Sequence, residues 1–468
     1  MTTQLWKMGA AELAAAIREG RTSAREVVAA HIERIEAVNS RLNAVTVLLG
    51  EQALDAADAA DRALAAEQDV GPLHGVPMTV KENIDLAGSP TTEGVVAFRD
   101  VMPRADAPHI AELKSAGAIP IARTNMPDFG LRWHTDNALR GPTLNPWDSG
   151  RTPGGSSGGD ASALAAGMTP LGMGNDLAGS LRWPSQCCGT TALKPGLGRV
   201  AMANMRGGVA PAIGGQLLGV HGPMARSVSD LRVAFSAMCG RSPSDPWHAP
   251  VPLQGPPVGR PIRVSVVADP SGRGVDPDIA DAVGRTADAL ADAGYAVEEG
   301  EPPSLQRTAE IYFQILSIPR DEGVANPMDD LGSKDFVRFM RAVEGAFEAA
   351  GGEPAPDAFG ERHALARAWG EFQEQRPLIL APVATVPACP VGFDLREGDD
   401  AVAWIRALRM IVVVNLLGLP SVALPTGEAN GLPHGVQIIG PRYREDLCLD
   451  AAEAVEERLG AITPIDPR

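Results

Sequence analysis

Two glycine- and serine-rich segments stand out in the chain, Gly154-Gly155-Ser156-Ser157-Gly158-Gly159 and, further along, Gly174-Asn175-Asp176-Leu177-Ala178-Gly179-Ser180. Three chemistries use segments of this kind. Glycine-rich turns expose backbone N–H groups to phosphate, but neither segment has the Gly-Lys-Ser/Thr ending or the G-x-G-x-x-G spacing of a phosphate loop. Gly154 to Gly158 matches the G-x-S-x-G pattern of a nucleophile elbow, which needs an acid and then a histidine later in the chain. The later histidines, His221, His248, His363 and His434, stand in no recognisable context, and the second serine segment would be idle. The third chemistry is a Ser-Ser-Lys relay with lysine as base. A serine hydroxyl is a weak nucleophile at neutral pH, and an exposed lysine, with a pKa near ~10.4, is almost wholly protonated. The relay therefore needs a buried lysine. In GPLHGVPMTVKENID, residues 71–85, a turn leads into a short apolar strand that ends at Lys81. Burial there disfavours the ammonium, and a pKa of about 7 to 8 corresponds to about 4 kcal/mol of destabilised charge.

These segments carry a family resemblance. GGSSGGDASALAAG (154–167) followed by GNDLAGSLRWPSQCCGTTALKPGLGRV (174–200) resembles the signature region of the amidase signature family, and the Lys81 segment resembles that family's lysine segment. HGPMARSVSD (221–230), NLLGLPSVALPTG (415–427) and GVQIIG (435–440) are similar too. The likeness covers roughly residues 5 to 245 and 376 to 460 and leaves about 250 to 375 without clear counterpart. It implies that Ser180 is the nucleophile, Ser156 the bridging serine after a cis Gly155–Ser156 bond, and Lys81 the base. The turn Leu177-Ala178-Gly179-Ser180 offers consecutive N–H groups for the oxyanion. No cofactor or metal is expected.

The chain departs from the family's text at Ala178, where glycine is expected, and at Asn175, where threonine or serine is commoner. A methyl at 178 narrows or reorients the acyl site. Gln216 and Leu217 stand where the family often shows Ser-Leu-Asp, which argues against the glutamine-dependent transamidase subunit. The Gly- and Met-rich loop from 201 to 219, with Met205 and Gln216, and the Trp133-His134 pair read as walls of a substrate pocket.

The elements that position these residues read as α/β. Ser23 and Glu26 form a capping box ahead of a helix to about Asn39, whose Val28, Ile32 and Ile35 share one face. The Ala/Asp-rich stretch 53–66 reads as a surface helix, IAELKSAGA as a helix, IPIART as a strand, and 125–150 as an irregular loop. RSPSDPWHAPVPLQGPPVGRP (241–261) is a proline-rich connector; beyond it IRVSVVADP, a helix over 276–293 and YAVEEG make a β-α-β unit. Residues 303–375 read as mostly helical and as a cap over the entrance. RPLILAPVATVPACP, MIVVVNLLGLPSVALPTG and GVQIIG read as buried strands, closed by a helix from Glu445 to Leu459. The expectation is one amidase signature domain, 1–468, with a large mixed central sheet flanked by helices on both faces. Residues 1–245 would be the catalytic half, 246–375 a divergent middle segment, and 376–468 strands and a helix completing the sheet.

The formal net charge of −17, without a Lys/Arg stripe, argues against nucleic acid and anionic membranes as partners. No secretory leader or run of about 18 apolar residues is seen, so the reading is cytoplasmic. The five cysteines, Cys187, Cys188, Cys239, Cys389 and Cys448, fit neither a disulfide framework nor a zinc ribbon and read as reduced core residues. The sequence thus points to a serine hydrolase, monomeric or homodimeric, acting on a small or medium uncharged amide. Carbamates, anilides and esters are alternative substrates, and a partner-dependent glutamine amidotransferase subunit is the alternative from another class.

Overall fold

The computed structural model describes residues 4–203, 212–316, 327–350 and 352–468. Among them lie eleven strands: β1 (Val45–Leu48), β2 (Pro77–Lys81), β3 (Ile119–Thr124), β4 (Leu171–Asp176), β5 (Thr191–Lys194), β6 (Val220–Ala225), β7 (Arg263–Val266), β8 (Ala296–Glu299), β9 (Leu378–Pro382), β10 (Ser421–Ala429) and β11 (Leu432–Ile439). They form one sheet in the order β1-β3-β2-β4-β6-β5-β10-β11-β9-β7-β8. The sheet is mixed, as expected: β3-β2-β4 and β9-β7-β8 run parallel, while β4-β6-β5-β10-β11-β9 alternate in direction.

Strand alternation feeds two cores, one on each face. Leu378 and Leu380 point to one, Ile379 and Ala381 to the other. The first core lies under the helices Ala10–Arg18, Ala24–Val38, Val228–Met238, Pro277–Asp292 and Glu445–Leu459. The second lies under Arg182–Cys188, Leu305–Leu316, Lys334–Ala350, Asp399–Ala407 and Arg409–Leu417. β2 and β9, covered on both faces, are buried at every residue, and β9 accordingly reads as an unbroken apolar run.

Local signals in the sequence map closely onto this frame. Ser23 and Glu26 close the capping box of the helix Ala24–Val38 reciprocally. The Ala/Asp-rich stretch is the surface helix Gly50–Ala65, which buries only Ala53 and Ala57. The strands on either side of Pro277–Asp292 pair in parallel, giving the expected β-α-β unit, and join the common sheet through β9. One assignment is corrected: Arg409–Leu417, with its Ile411-Val412-Val413-Val414 run, is a helix rather than a strand, and the strand begins only at Ser421. Every residue of that helix is buried, so packing on all sides overrides the β-branched preference; Gly418, left-handed at φ 65°, ends it. The five cysteines are free thiols, with Cys187, Cys188 and Cys448 buried as packing residues.

Candidate active site

Lys81 is the last residue of β2, between β3 and β4 and fully buried. Thr79 and Lys81 share the strand face opposite Met78 and Val80. Burial pushes the Lys81 ammonium down to about 7, against the charges of Asp160, Glu93 and Asp176, which favour it. Its Nζ donates to Ser156 Oγ at 2.7 Å, to Ser157 Oγ at 3.0 Å and to Asn175 Oδ1 at 2.7 Å. The elbow reading would give Ser156 a histidine partner; its partner here is lysine. Asp160, in the first turn of the helix Gly158–Ala165, lies behind the lysine and accepts from Thr79 Oγ1 at 3.0 Å. Burial pushes its carboxyl up to about 6.

The Ser156 segment is gripped by the loop before it. The Gly155–Ser156 peptide is cis. A Cβ on Gly155 would stand 2.5 Å from the Arg132 carbonyl oxygen, so only glycine lets the 132–134 backbone lie against it. Thr135 Oγ1 donates to the Gly154 carbonyl at 2.9 Å and accepts from Gly158 N–H at 3.2 Å. His134 is buried with Nδ1 2.9 Å from Thr152 Oγ1, and burial lowers its pKa to about 4. Its ring thus packs against the Thr152 hydroxyl.

Ser180 stands in the turn between β4 and the helix Arg182–Cys188. Asp176, at the end of β4, shapes that turn: it accepts from Gly179 N–H at 2.8 Å, Leu181 N–H at 3.2 Å, Arg182 Nε at 3.1 Å and Asn415 Nδ2 at 2.9 Å. Burial alone would raise the Asp176 carboxyl, but the Arg182 guanidinium and these donors hold it well below the carboxylate range. Arg182, itself fully buried, also donates to Gln437, Ile411 and Asn415. The Ser180 carbonyl accepts from Ser157 N–H at 3.3 Å, which ties the two serine segments together.

Of the four N–H groups expected to face an oxyanion, that of Gly179 is therefore engaged by Asp176, a correction that follows from the carboxylate beneath the turn. The neighbouring peptides are oriented by their carbonyls. Leu177 accepts from Tyr312 Oη at 3.0 Å, and Ala178 from Trp133 Nε1 at 2.9 Å. In a trans peptide the next N–H points away from that carbonyl, so the Ala178 N–H is turned away from Tyr312. Trp133 thus touches the Ser180 turn and packs edge-on to Phe339 and Trp404. Gln216, on the helix Ile213–Leu218, accepts at Oε1 from Trp247 Nε1 at 3.1 Å. Met205 lies outside the described residues.

The middle segment reaches the site too. Ser333, ahead of the helix Lys334–Ala350, donates its N–H at 2.8 Å and its hydroxyl at 3.0 Å to Asp128. Phe336 packs on Phe129 with ring centroids 5.3 Å apart. The residue after Phe129, Gly130, abuts Ser156: a Cβ there would meet Ser156 Oγ at 3.4 Å. Sequence reasoning missed Ser157 and Asn175 as partners of Lys81. Parallel pairing of β2 and β4, with Val80 opposite Met173, was the signal that brings 174–175 beside Lys81.

Fold and site together define an enzyme that carries a buried lysine-serine pair beside a glycine-flanked second serine. The family model described as Amidase matches residues 26–449, and so runs through the middle segment that had shown no clear likeness. The indoleacetamide hydrolase of Bradyrhizobium diazoefficiens is 42% identical over 460 residues, covering 98% of this chain and 88% of that protein. A glutamyl-tRNA(Gln) amidotransferase subunit of Salinispora arenicola is 33% identical, covering 99% of both. Among solved structures, a 6-aminohexanoate cyclic dimer hydrolase complexed with substrate superposes with a TM-score of 0.78 at 26% identity, covering 100% of this chain and 99% of that one. The chain belongs to the amidase family; it is a hydrolase of carboxylic amide C–N bonds. No helix among the described residues is long and apolar enough to cross a membrane.

Proposed function

We propose that the chain hydrolyses a small or medium uncharged arylacetamide of the indoleacetamide kind through an acyl-enzyme on Ser180, with Ser156 as relay and Lys81 as base. The observation that carries this reading is the fully buried Lys81 Nζ, 2.7 Å from Ser156 Oγ. Neutral Lys81 takes the Ser156 proton as Ser156 takes that of Ser180, and Ser180 Oγ attacks the amide carbon. The N–H groups of Ala178 and Ser180, with that of Leu177, receive the developing oxyanion. Ser156 then protonates the leaving nitrogen, and water, activated by the same relay, releases the acid. Each proton taken from a serine or from water is returned to the leaving nitrogen or to the relay, so the sequence of steps balances.

The arylacetamide assignment is supported by the relative's activity and by the apolar surroundings of the Ser180 turn. Leu177 and Ala178 are half-buried, Trp133 and Tyr312 bond to their carbonyls, and Ile411 packs under Gly179. The acidic composition and free thiols support a cytoplasmic enzyme. The test is hydrolysis of indoleacetamide beside a matching 4-nitroanilide, carbamate and ester, by wild type and Ser180→Ala. Cleavage of the primary amide by the isolated wild-type chain and not by Ser180→Ala is expected. Preference for the carbamate would move the assignment to a urethanase, and activity only with added partner chains would move it to an amidotransferase component. Full activity of Ser180→Ala would overturn the nucleophile.

A further inference from the structure

The third hydrogen bond of Lys81 goes to a residue outside the Ser-Ser-Lys set. Asn175 Oδ1 lies 2.7 Å from Nζ, as close as Ser156 Oγ. Two strand pairings hold it there: β4 runs beside β2 with Val80 opposite Met173, and Asn175 itself is paired with His221 of β6. Asn175 is thus seated by the sheet and not by a loop.

The three acceptors around Nζ are not equivalent. Hydroxyls of Ser156 and Ser157 both donate and accept, so either can bond to an ammonium or to a neutral amine. The amide oxygen of Asn175 only accepts. A neutral lysine has two N–H groups and one lone pair, and an acceptor without a proton must be met by an N–H. We propose that Asn175 is a positioning residue: by offering Lys81 an acceptor that never donates, it fixes one N–H and turns the lone pair of the neutral amine toward the serine hydroxyls. This rests on the reading of Lys81 as base. An amide does this without a negative charge. A carboxylate in its place would hold the proton on Lys81, because an opposite charge at hydrogen-bond distance favours the ammonium.

The charged and titratable groups that face Lys81 remain the same whichever residue stands at 175: Asp160 from the helix Gly158–Ala165, Asp176 from the end of β4, Glu93 from the loop after β2, and His221 from β6. A shift on changing residue 175 is therefore read against a constant background.

The experiment measures kcat and KM for indoleacetamide against pH in Asn175→Leu, Asn175→Asp and Asn175→Thr, with melting temperature for each and Lys81→Met and Ser180→Ala as controls. Asn175→Leu is expected to lose roughly 10- to 100-fold in kcat with KM nearly unchanged, a loss within the range of general-base catalysis. Asn175→Thr, which restores an oxygen, is expected to recover part of that loss. Asn175→Asp is expected to move the ascending limb of kcat/KM up by about one pH unit or more. Wild-type kcat in Asn175→Leu, or in Asn175→Asp an unmoved limb with an unchanged melting temperature, overturns the proposal. Should Asn175→Leu not fold, the limb of Asn175→Asp decides alone. Activity retained by Lys81→Met or Ser180→Ala would instead overturn the relay on which the proposal stands.

Discussion

Gly179 donates its N–H to Asp176 Oδ1 at 2.8 Å, so one N–H of the turn that carries Ser180 holds the turn's shape. The same carboxylate neutralises the fully buried Arg182. Removing one partner of a buried pair strands the other charge, which costs about 3 to 5 kcal/mol. Asp176→Ala is accordingly expected to lower the unfolding free energy by about that amount and to abolish activity. Denaturant unfolding followed beside kcat separates the two effects, and a fully stable, active Asp176→Ala would refute the structural role.

The proposed base predicts a pH profile. Lys81, pushed down to about 7 by burial, is proton-free above that pH. With Lys81 as the proposed base, activity follows the free amine, so kcat/KM is expected to rise with pH through about 7 and to level off well below pH ~9. An ascending limb near ~10, the range of an exposed lysine, would mean that Lys81 keeps its proton or that another group is the base.

The two serines should differ in kind. In the proposed mechanism Ser180→Ala removes the atom that takes the acyl group, and it is expected to lose at least ~10⁴-fold in kcat. Ser156→Ala interrupts the relay but leaves the nucleophile in place. A serine-directed phosphonate should therefore label Ser156→Ala slowly at Ser180 and leave Ser180→Ala unlabelled, as read by mass spectrometry. Labelling of Ser156 in wild type would reverse the roles.

Ala178 is half-buried beside Ser180, with its carbonyl on Trp133 Nε1 at 2.9 Å. One methyl in an apolar pocket is worth about 1 to 3 kcal/mol of discrimination. Ala178→Gly is expected to raise kcat/KM for amides with a bulkier acyl group relative to indoleacetamide by roughly 10-fold or more. Equal effects on both substrates would remove the methyl from the pocket wall.

How far the sequence carries depends on whether a signal is local. Ser23 and Glu26 announce their helix because a capping box is closed within four residues, and Lys81 is placed at a strand end because the run before it is short and mostly apolar. Ile411 to Val414 mislead because a buried helix and a buried strand are both apolar throughout, and only the packing of Arg409–Leu417 under the sheet decides between them. The bond from Gly179 to Asp176 is close in sequence but needs the left-handed Gly179, φ 93°, to bring the N–H inward. Asn175 is visible as a departure from the family's text, yet its meaning lies in the register of β4 against β2. Gln216, read as a pocket wall, also accepts from Trp247 Nε1, a contact across 31 positions that no periodicity encodes.

The contact of Ser333 with Asp128 couples two distant parts of the chain. Ser333 starts the helix Lys334–Ala350, and Asp128 belongs to the loop whose Gly130 touches Ser156. The serine-aspartate pin therefore ties the start of that helix to the backbone beside Ser156, so that a displacement of the helix is passed on toward that serine. A substitution far along the chain, at Ser333, thereby gains a route to Ser156 that runs through two hydrogen bonds and one loop.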